Sequence, residues 1–205
     1  MLFFKRPLLG SYAALLAVIS LLSFPAFSSA QNSGPSSAAA TKTEQMQSLI
    51  QASAKRIAVA HEVAFAKWDT HTPVEDIERE NQVIEAVVSQ AKQQGLDEKF
   101  VTSFFRAQIE ANKVVQYGLL ADWYRAGKAP QHSKVNLKET IRPQLDTLQT
   151  TLLDQLRATS TIREAADCHT AVAAAVDSYR KGEGTQMGAL DFIALERSVA
   201  SFCAR

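Results

Sequence analysis

Hydrophobic residues recur three or four positions apart along almost the whole chain after Ala40, which is the spacing of one face of an α-helix. The first such run begins at Thr41, where Glu44 completes a capping box, and it extends to about Asp69. The apolar side of this run is formed by Met46, Leu49, Ile50, Ile57, Ala60, Ala64 and Trp68. No segment alternates apolar and polar residues between turn signals, as a half-buried strand would. The pattern therefore predicts an all-α protein.

Five further helical segments follow the first, and residues that favour turns separate them. Pro73 fits the first turn of the second helix, and Asp97 is a cap for the long third helix. Residues 127–133 predict a loop, and the fourth helix opens at Arg142. The remaining predicted boundaries are the end of the second helix near Gly95 and two shorter helices over about 161–181 and 186–203. The expected fold class is a bundle of about six helices.

Residues 1–30 differ from the rest of the chain because they have the pattern of a cleaved secretory signal peptide. Lys5 and Arg6 give a positive start, an apolar run covers about 13–24, and small residues lead to a cleavage point after Ala30. The apolar run is shorter than the roughly 20 residues that cross a membrane, which argues against a retained anchor. We therefore expect an exported protein with no membrane segment after cleavage.

The sequence between the signal and the first helix, residues 31–40 (QNSGPSSAAA), has no periodicity and predicts a flexible lead-in. The helical domain is then expected over 41–205. Lys plus Arg (22) nearly equals Asp plus Glu (21). Such a balance gives no overall field that would attract nucleic acid or an anionic membrane, so we expect neither as a partner.

Export also determines what is expected of the two cysteines, Cys168 and Cys203. A single pair in an oxidising compartment predicts one disulfide, which would tie the start of the penultimate helical segment to the end of the last one. The alternative is a catalytic thiol, but we do not expect a nucleophile two residues from the C-terminus. The four histidines have no metal-ligand spacing and no cysteine is spare for zinc, so no metal site is predicted.

Two cations interrupt the inward side of the first helix. Arg56 and Lys67 are eleven residues apart, so at 100° per residue they point within about 20° of the same direction. They share that side with Ala60 and Ala64, which should face the bundle interior. Burying two cations is costly unless an anion meets them. For a single Lys or Arg, the common alternative is a stem packed at the bundle edge with its charge in water.

The second helix carries a polar cluster of its own. Asp76, Arg79 and Glu80 lie on one face because they are three and four residues apart. Val83 and Val87 continue that face toward the interior. Taken alone, Asp76 and Arg79 form an ordinary surface ion pair worth about 0.5 kcal/mol.

Polar residues also occur on the inward sides of the third and fourth helices. Gln108, Asn112 and Gln116 recur every four residues, where these amides either satisfy one another or line a polar pocket. Arg142 precedes Pro143, which a helix tolerates only in its first turn. A solvated residue at a helix start is the alternative for Arg142.

Together these residues predict a pocket inside the bundle that suits a small molecule with two carboxylates. Its cations would be Arg56, Lys67, Arg79 and Arg142, and its hydrogen-bonding members would include Glu80 and Gln116. The sequence lacks the G-x-S-x-G elbow, the P-loop and the dinucleotide-binding glycines. A reaction in this pocket would therefore depend on electrostatics and positioning rather than on a nucleophile or cofactor.

The order and spacing of these residues resemble those of the all-helical (AroQ-type) chorismate mutases, over about residues 43–205. The resemblance is carried by Arg56, by Lys67 with Trp68, by PVEDIERE at 73–80 and by VTSFFRAQIEANKVVQ at 101–116. The signal peptide, the extra C-terminal helices and the cysteine pair are similar to the exported subclass of that family.

This resemblance implies an isomerase that rearranges chorismate to prephenate, an intramolecular Claisen reaction without covalent intermediate, metal or cofactor. It also implies a homodimer in which each pocket lies inside one chain. The periplasm is the first expectation for its location, with secretion as the alternative.

The resemblance further implies roles for the pocket cations and for one amide. Arg56 and Arg142 would hold the substrate carboxylates, and Arg79 would help to fix the substrate. Lys67 would donate a hydrogen bond to the ether oxygen as its bond to the ring breaks. Gln116 occupies the position where the family has a Gln or Glu that hydrogen-bonds the same oxygen.

The remaining roles concern the ring hydroxyl of the substrate. Glu80, with the backbone of Asp76, would position this hydroxyl. Asn112 stands where the family carries a small hydroxyl residue. Val83 is a departure, because some exported members have an amide at that position.

Two alternatives from other classes explain part of the same pattern. An exported helical binding module would capture an anionic small molecule or a partner peptide without chemistry. A purely structural bundle would carry these charges on its surface, so solvent exposure of Arg56 and Lys67 would favour it.

Overall fold

The computed structural model describes residues 35–204, so the predicted signal peptide and the first residues of the lead-in lie outside it. All regular structure in this range is helical, which confirms the predicted fold class. The helices are α1 (Pro35–Thr70), α2 (Ile77–Gln93), α3 (Glu98–Ala126), α4 (Arg142–Ala158), α5 (Ser160–Arg163), α6 (Cys168–Lys181) and α7 (Ala189–Val199). A π-helical turn (Leu137–Ile141) precedes α4, and a 3-10 turn (Glu183–Gln186) precedes α7. No helix in the described range is both long and apolar enough to cross a membrane.

The helix α1 runs through the centre of the bundle and packs against α3, α4, α6 and α7. Its predicted apolar face is buried as expected, because Met46, Leu49 and Ile50 are fully inaccessible to solvent. They join a core with side chains from most of the other helices, including Phe104, Phe105, Leu152, Leu156, Leu195 and Phe202. Each such side chain contributes about 1.5–3 kcal/mol by leaving water.

The start of α2 differs from the prediction. The helix begins at Ile77 and not at Pro73, because Asp76 is its cap and accepts a hydrogen bond from the backbone N–H of Arg79 at 3.0 Å. Pro73 lies in the preceding turn, where its carbonyl accepts a hydrogen bond from Lys67 Nζ. The predicted cap of α3 is present, since Asp97 accepts from the N–H of Phe100 at 2.7 Å.

Three further boundaries differ from the prediction. The first helix begins at Pro35, so residues 35–40 are helical rather than flexible; proline is tolerated in a first turn, and the alanines that follow favour helix. The segment over 161–181 is divided into α5 and α6 by a short turn, which gives seven α-helices in the described range instead of six. The last helix ends at Val199, and the chain continues as an irregular segment.

The predicted disulfide is present and holds this C-terminal segment. Cys168, the first residue of α6, is bonded to Cys203 with a Cα–Cα distance of 5.8 Å. Beside it, Phe202 is fully buried, and the N–H of Ala204 donates to the carbonyl of Arg163 at 3.0 Å. Closing a loop of this length stabilises a chain by roughly 3–4 kcal/mol in the chain-entropy model.

The loop between α3 and α4 is attached to α1 by His132. Its ring stacks on Phe65 with 4.1 Å between the ring centroids. Nδ1 lies 2.9 Å from the carbonyl of Pro130, and Nε2 lies 3.2 Å from the carboxylate of Asp69. Because both partners only accept hydrogen bonds, this geometry suits an imidazole protonated at both nitrogens. The hydrogen bond to Pro130, followed by the effect of Asp69, raises the pKa of His132.

Candidate active site

A cavity of about 150 Å³ lies between α1, α2, α3 and the start of α4. The structure brings all eight predicted site residues to its wall. They are Arg56, Lys67, Asp76, Arg79, Glu80, Asn112, Gln116 and Arg142. Four separate helices contribute these side chains, so the cavity exists only in the folded bundle.

Arg56 is the most deeply buried cation of the cavity, with 5% of its surface exposed. Burial lowers its pKa to about 10, opposed by the negative charge of Asp146. The guanidinium therefore stays charged at neutral pH. Its Nε is buried and has no hydrogen-bond acceptor among the described residues. A buried donor without an acceptor costs free energy, so this group suits an anionic ligand.

Lys67 lies near the end of α1 and is half-buried. Its Nζ donates a hydrogen bond to the carbonyl of Pro73 at 2.5 Å, which holds the segment between α1 and α2 against the cavity. Burial lowers the pKa of Lys67, opposed by Asp76 and Glu80. An ammonium has three N–H donors, so Lys67 retains two for a ligand.

The first turns of α2 present two more of the predicted residues. The Asp76 carboxylate caps this helix by accepting a hydrogen bond from the backbone N–H of Arg79. The Arg79 guanidinium is held only loosely, because Nη2 lies 3.8 Å from Asp146 and Nη1 lies 3.5 Å from Gln82 Oε1. Arg79 is therefore free to turn toward a ligand.

Two buried amides on α3 are connected in a chain of hydrogen bonds. Asn112 Nδ2 donates to the backbone carbonyl of Arg56 at 2.9 Å, and Asn112 Oδ1 accepts from Gln116 Nε2 at 2.7 Å. These bonds fix which end of each amide carries the donors. Gln116 Oε1 is buried without a partner among the described residues, and Nε2 keeps a second hydrogen to donate.

Arg142 is the first residue of α4 and lines the cavity. The preceding residue, Ile141, is 1% exposed and packs with Val59 and Val63 of α1, which fixes where α4 begins. The Arg142 side chain makes no hydrogen bond or ion pair with the part of the chain that the structure describes. The guanidinium of Arg142 is therefore available to bind a ligand.

The cavity wall also contains three polar residues that were not predicted from the sequence, Lys113, Asp146 and Gln149. Lys113 is 7% exposed and forms ion pairs with Glu80 and Glu110. The spacing of Glu110 and Lys113 is typical of an exposed pair on one helix, so nothing local signals that this lysine is buried. Its burial depends on packing between α2 and α3.

The charges of the cavity wall are unequal. Within the described part of the chain, five cations and three carboxylates line it, which leaves two positive charges in excess. Apolar side chains complete the wall, among them Val63, Val83, Ile109 and Leu145. The site therefore suits a small dianion with an apolar ring. Solvent exposure of Arg56 and Lys67, which would have favoured a purely structural bundle, is not found, because Arg56 is buried and Lys67 is half-buried.

Comparisons with known proteins agree with one another. The profile of the family described as "Chorismate mutase type II" matches residues 47–117. A secreted chorismate mutase of Mycobacterium tuberculosis is 30% identical over 135 residues, which is 66% of this chain and 67% of the relative. One from Mycolicibacterium smegmatis is 29% identical over 170 residues, or 83% of this chain and 92% of the relative. The crystal structure of chorismate mutase from Burkholderia phymatum has 38% identity and a TM-score of 0.77, with 80% of this chain and 99% of that one covered.

Proposed function

This chain belongs to the chorismate mutase type II family, and from that membership we propose that its cavity binds chorismate and rearranges it to prephenate. The observation that carries the proposal is the meeting of Arg56, Lys67, Arg79 and Arg142 around one cavity. Two excess positive charges match the two carboxylates of chorismate. The reaction is intramolecular, so the residues need only bind, orient and stabilise charge.

We propose that the arginines hold the substrate in its reactive, folded conformation. Arg56, buried with an unpaired Nε, and Arg142, unengaged at the start of α4, would each bind a carboxylate. Arg79, which is loosely held, would turn toward the enolpyruvyl end. Carboxylates held by arginines of two different helices restrict rotation between the two halves of the substrate, which lowers the entropic part of the barrier.

Lys67 and Gln116 would stabilise the charge that develops on the ether oxygen as its bond to the ring breaks. Both have an N–H donor that remains available after the hydrogen bonds seen in the structure, to Pro73 and Asn112 respectively. Donors fixed before the reaction starts stabilise the transition state more than the ground state. Asn112 would act on the reaction through Gln116, because it sets the orientation of that amide.

Glu80 would accept a hydrogen bond from the ring hydroxyl, near the backbone of Asp76 at the start of α2. The side chain of Val83 cannot form a hydrogen bond, so Glu80 is the side chain of α2 at the cavity that can accept one from a ligand.

The test is chorismate turnover by purified residues 31–205, followed by the loss of chorismate absorbance. Wild-type protein should convert chorismate to prephenate without an added metal or cofactor. Lys67→Ala should lose about 100- to 1,000-fold in kcat/KM, the effect of removing one donor to a developing negative charge. Lys55→Ala is the matched control, because Lys55 is on the same helix but exposed.

Near-normal turnover by Lys67→Ala would contradict the role of Lys67. Binding of chorismate without turnover by wild-type protein would instead support the binding-module alternative.

We also propose that the mature protein is exported and dimeric. The pattern of residues 1–30, the disulfide and the relatives named as secreted all support export. Cell fractionation with N-terminal sequencing would test cleavage after Ala30 and separate the periplasm from the medium. Light scattering of the purified protein would test the dimer that the family resemblance implies, and a monomeric mass would contradict it.

A further inference from the structure

Lys113 is a buried lysine that the proposed mechanism leaves without a role. It lies on α3, one residue after Asn112, and 9% of its side chain is exposed. Its Nζ lies 2.7 Å from Glu110, 3.8 Å from Glu75, and 3.2 and 3.3 Å from the two carboxylate oxygens of Glu80. An ammonium surrounded by three carboxylates remains protonated. Burial lowers its pKa, but the hydrogen bonds to Glu110 and Glu80 outweigh this and raise it.

The three carboxylates differ in where they lie. The side chains of Glu110 and Glu75 are 44% and 57% exposed, and neither lines the cavity. Glu80 is 22% exposed and lines the cavity together with Lys113. Lys113 therefore joins an inner carboxylate on α2 to outer carboxylates. Among the described residues, Glu80 is its only partner at the cavity wall.

An anionic Glu80 presents a difficulty in a site for a dianion, because it repels the ligand. A cation in contact with both of its oxygens offsets that repulsion locally. Each carboxylate oxygen has two lone pairs, so Glu80 can accept a further hydrogen bond while Lys113 holds it. The same contact restricts the rotation of Glu80, whose free side chain would otherwise lose entropy on binding.

We propose that Lys113 is a positioning residue. It holds the Glu80 carboxylate at the cavity wall, where this carboxylate can accept a hydrogen bond from the ring hydroxyl of chorismate. This inference rests on the proposed function and adds to it a source of substrate specificity. Lys113 itself acts on the substrate only through Glu80. Its effect should therefore depend on whether the substrate has a ring hydroxyl.

The experiment compares wild-type and Lys113→Met protein on two substrates: chorismate and an analogue whose ring hydroxyl is replaced by hydrogen. With chorismate, Lys113→Met should lose about 10- to 100-fold in kcat/KM, the effect of weakening a hydrogen bond to a charged group, with most of the loss in KM. With the deoxy analogue, the variant should stay within about threefold of wild type, because no hydroxyl is left to bind.

Three further variants separate positioning from a general structural role. Lys113→Arg should recover part of the activity on chorismate, because it keeps the charge and the donors. Glu110→Gln should change turnover by less than about threefold, because Lys113 keeps its contacts with Glu80. The double variant Lys113→Met/Glu80→Gln should be no worse on chorismate than Glu80→Gln alone, since both changes remove one interaction.

If Lys113→Met loses the same factor in kcat/KM on both substrates, with unchanged circular dichroism and melting temperature, this inference is overturned but the proposed function is not. If Lys113→Met does not fold, additive losses in the Lys113→Arg and Glu80→Gln variants would overturn it. Wild-type protein that converts neither substrate would overturn the proposed function, and this inference with it.

Discussion

The two ends of the bundle are built from the same long helices but differ in what these helices bury. At one end, the first half of α1 and the start of α3 pack with α6 and α7, and Phe104, Phe105 and Phe202 are fully buried. At the other end, the second half of α1 and the later part of α3 bury Arg56 and Gln116. Apolar burial stabilises the fold, whereas burial of charge opposes it.

Gln108 lies between these two ends of the molecule. It is fully buried, and its Nε2 donates to Ser53 Oγ at 2.9 Å and to the carbonyl of Ser198 at 3.3 Å. This amide links α3 to α1 and α7 at the boundary between the apolar core and the cavity. We therefore expect stability and activity to depend on different segments of the same helices, so that substitutions separate them.

The largest effect is expected from Phe105→Ala, which opens a hole in the apolar end. The free energy of unfolding should fall by about 3–5 kcal/mol, from lost burial and the cavity left behind. Urea denaturation measures this change. The turnover of the protein that remains folded should be close to normal, and a large loss of kcat at low temperature would show that the two ends are not separable.

Removal of the disulfide is the second test of the same end. Replacing Cys168 and Cys203 by alanine should lower the free energy of unfolding by roughly 3–4 kcal/mol, because the unfolded chain is no longer restricted by the closed loop. Calorimetry of the oxidised wild type and the variant measures the difference. Chorismate turnover at 25 °C should remain, since neither cysteine lies at the cavity. Inactive but folded protein would contradict this separation.

Arg56→Met tests the opposite end of the molecule. Its kcat/KM should fall by about 100- to 1,000-fold, or roughly 3–4 kcal/mol of transition-state stabilisation. The reason is the loss of the guanidinium that is proposed to bind a carboxylate of the substrate. The melting temperature should not fall, since a buried charge without a side-chain hydrogen bond at Nε is removed. A marked drop in melting temperature would mean that Arg56 also stabilises the fold.

The pH dependence of turnover tests how Gln116 acts. An amide does not titrate, so wild-type kcat/KM should vary by less than about threefold between pH 5 and 7. Gln116→Glu must be protonated to donate, so its activity should fall about tenfold for each pH unit above the pKa of the new carboxyl group. A steep loss in the wild type over the same range would show that some other group titrates.

The smallest effect is expected at His132, which attaches the α3–α4 loop to α1. Its pKa is raised on folding, so its contribution to stability is complete below the unfolded value of about 6.5 and is lost as pH rises through the folded value. The melting-temperature difference between wild type and His132→Gln should therefore be larger at pH 5.5 than at pH 8.5. His169→Gln, at an exposed position on α6, is the control. An equal difference at both pH values would contradict the assignment.

The site could be predicted as far as helical geometry determines it. Arg56 and Lys67 lie on one uninterrupted helix, so their common direction follows from eleven steps of 100°. The residue types of Asp97 and its neighbours were also sufficient to place a cap. These features depend on local sequence, which a single chain shows directly.

What could not be predicted depends on contacts between distant segments. Pro73 is suited to a helix start, but the hydrogen bond from Lys67 and the cap at Asp76 move that start to Ile77. Lys113 has a partner on its own helix and is nonetheless buried, because Glu80 of α2 faces it. No local pattern contains that pairing.

The hydrogen bond between Lys67 and Pro73 has one more consequence. An ammonium on a free side chain can rotate about its Cε–Nζ bond, and binding a ligand must stop that rotation. Here one N–H of the ammonium already donates a hydrogen bond to the Pro73 carbonyl, so the directions of the other two N–H bonds are fixed when the protein folds. The loss of freedom precedes the arrival of any ligand. An arginine at position 67 could not reproduce this, because its planar donors would point elsewhere once one of them met the same carbonyl.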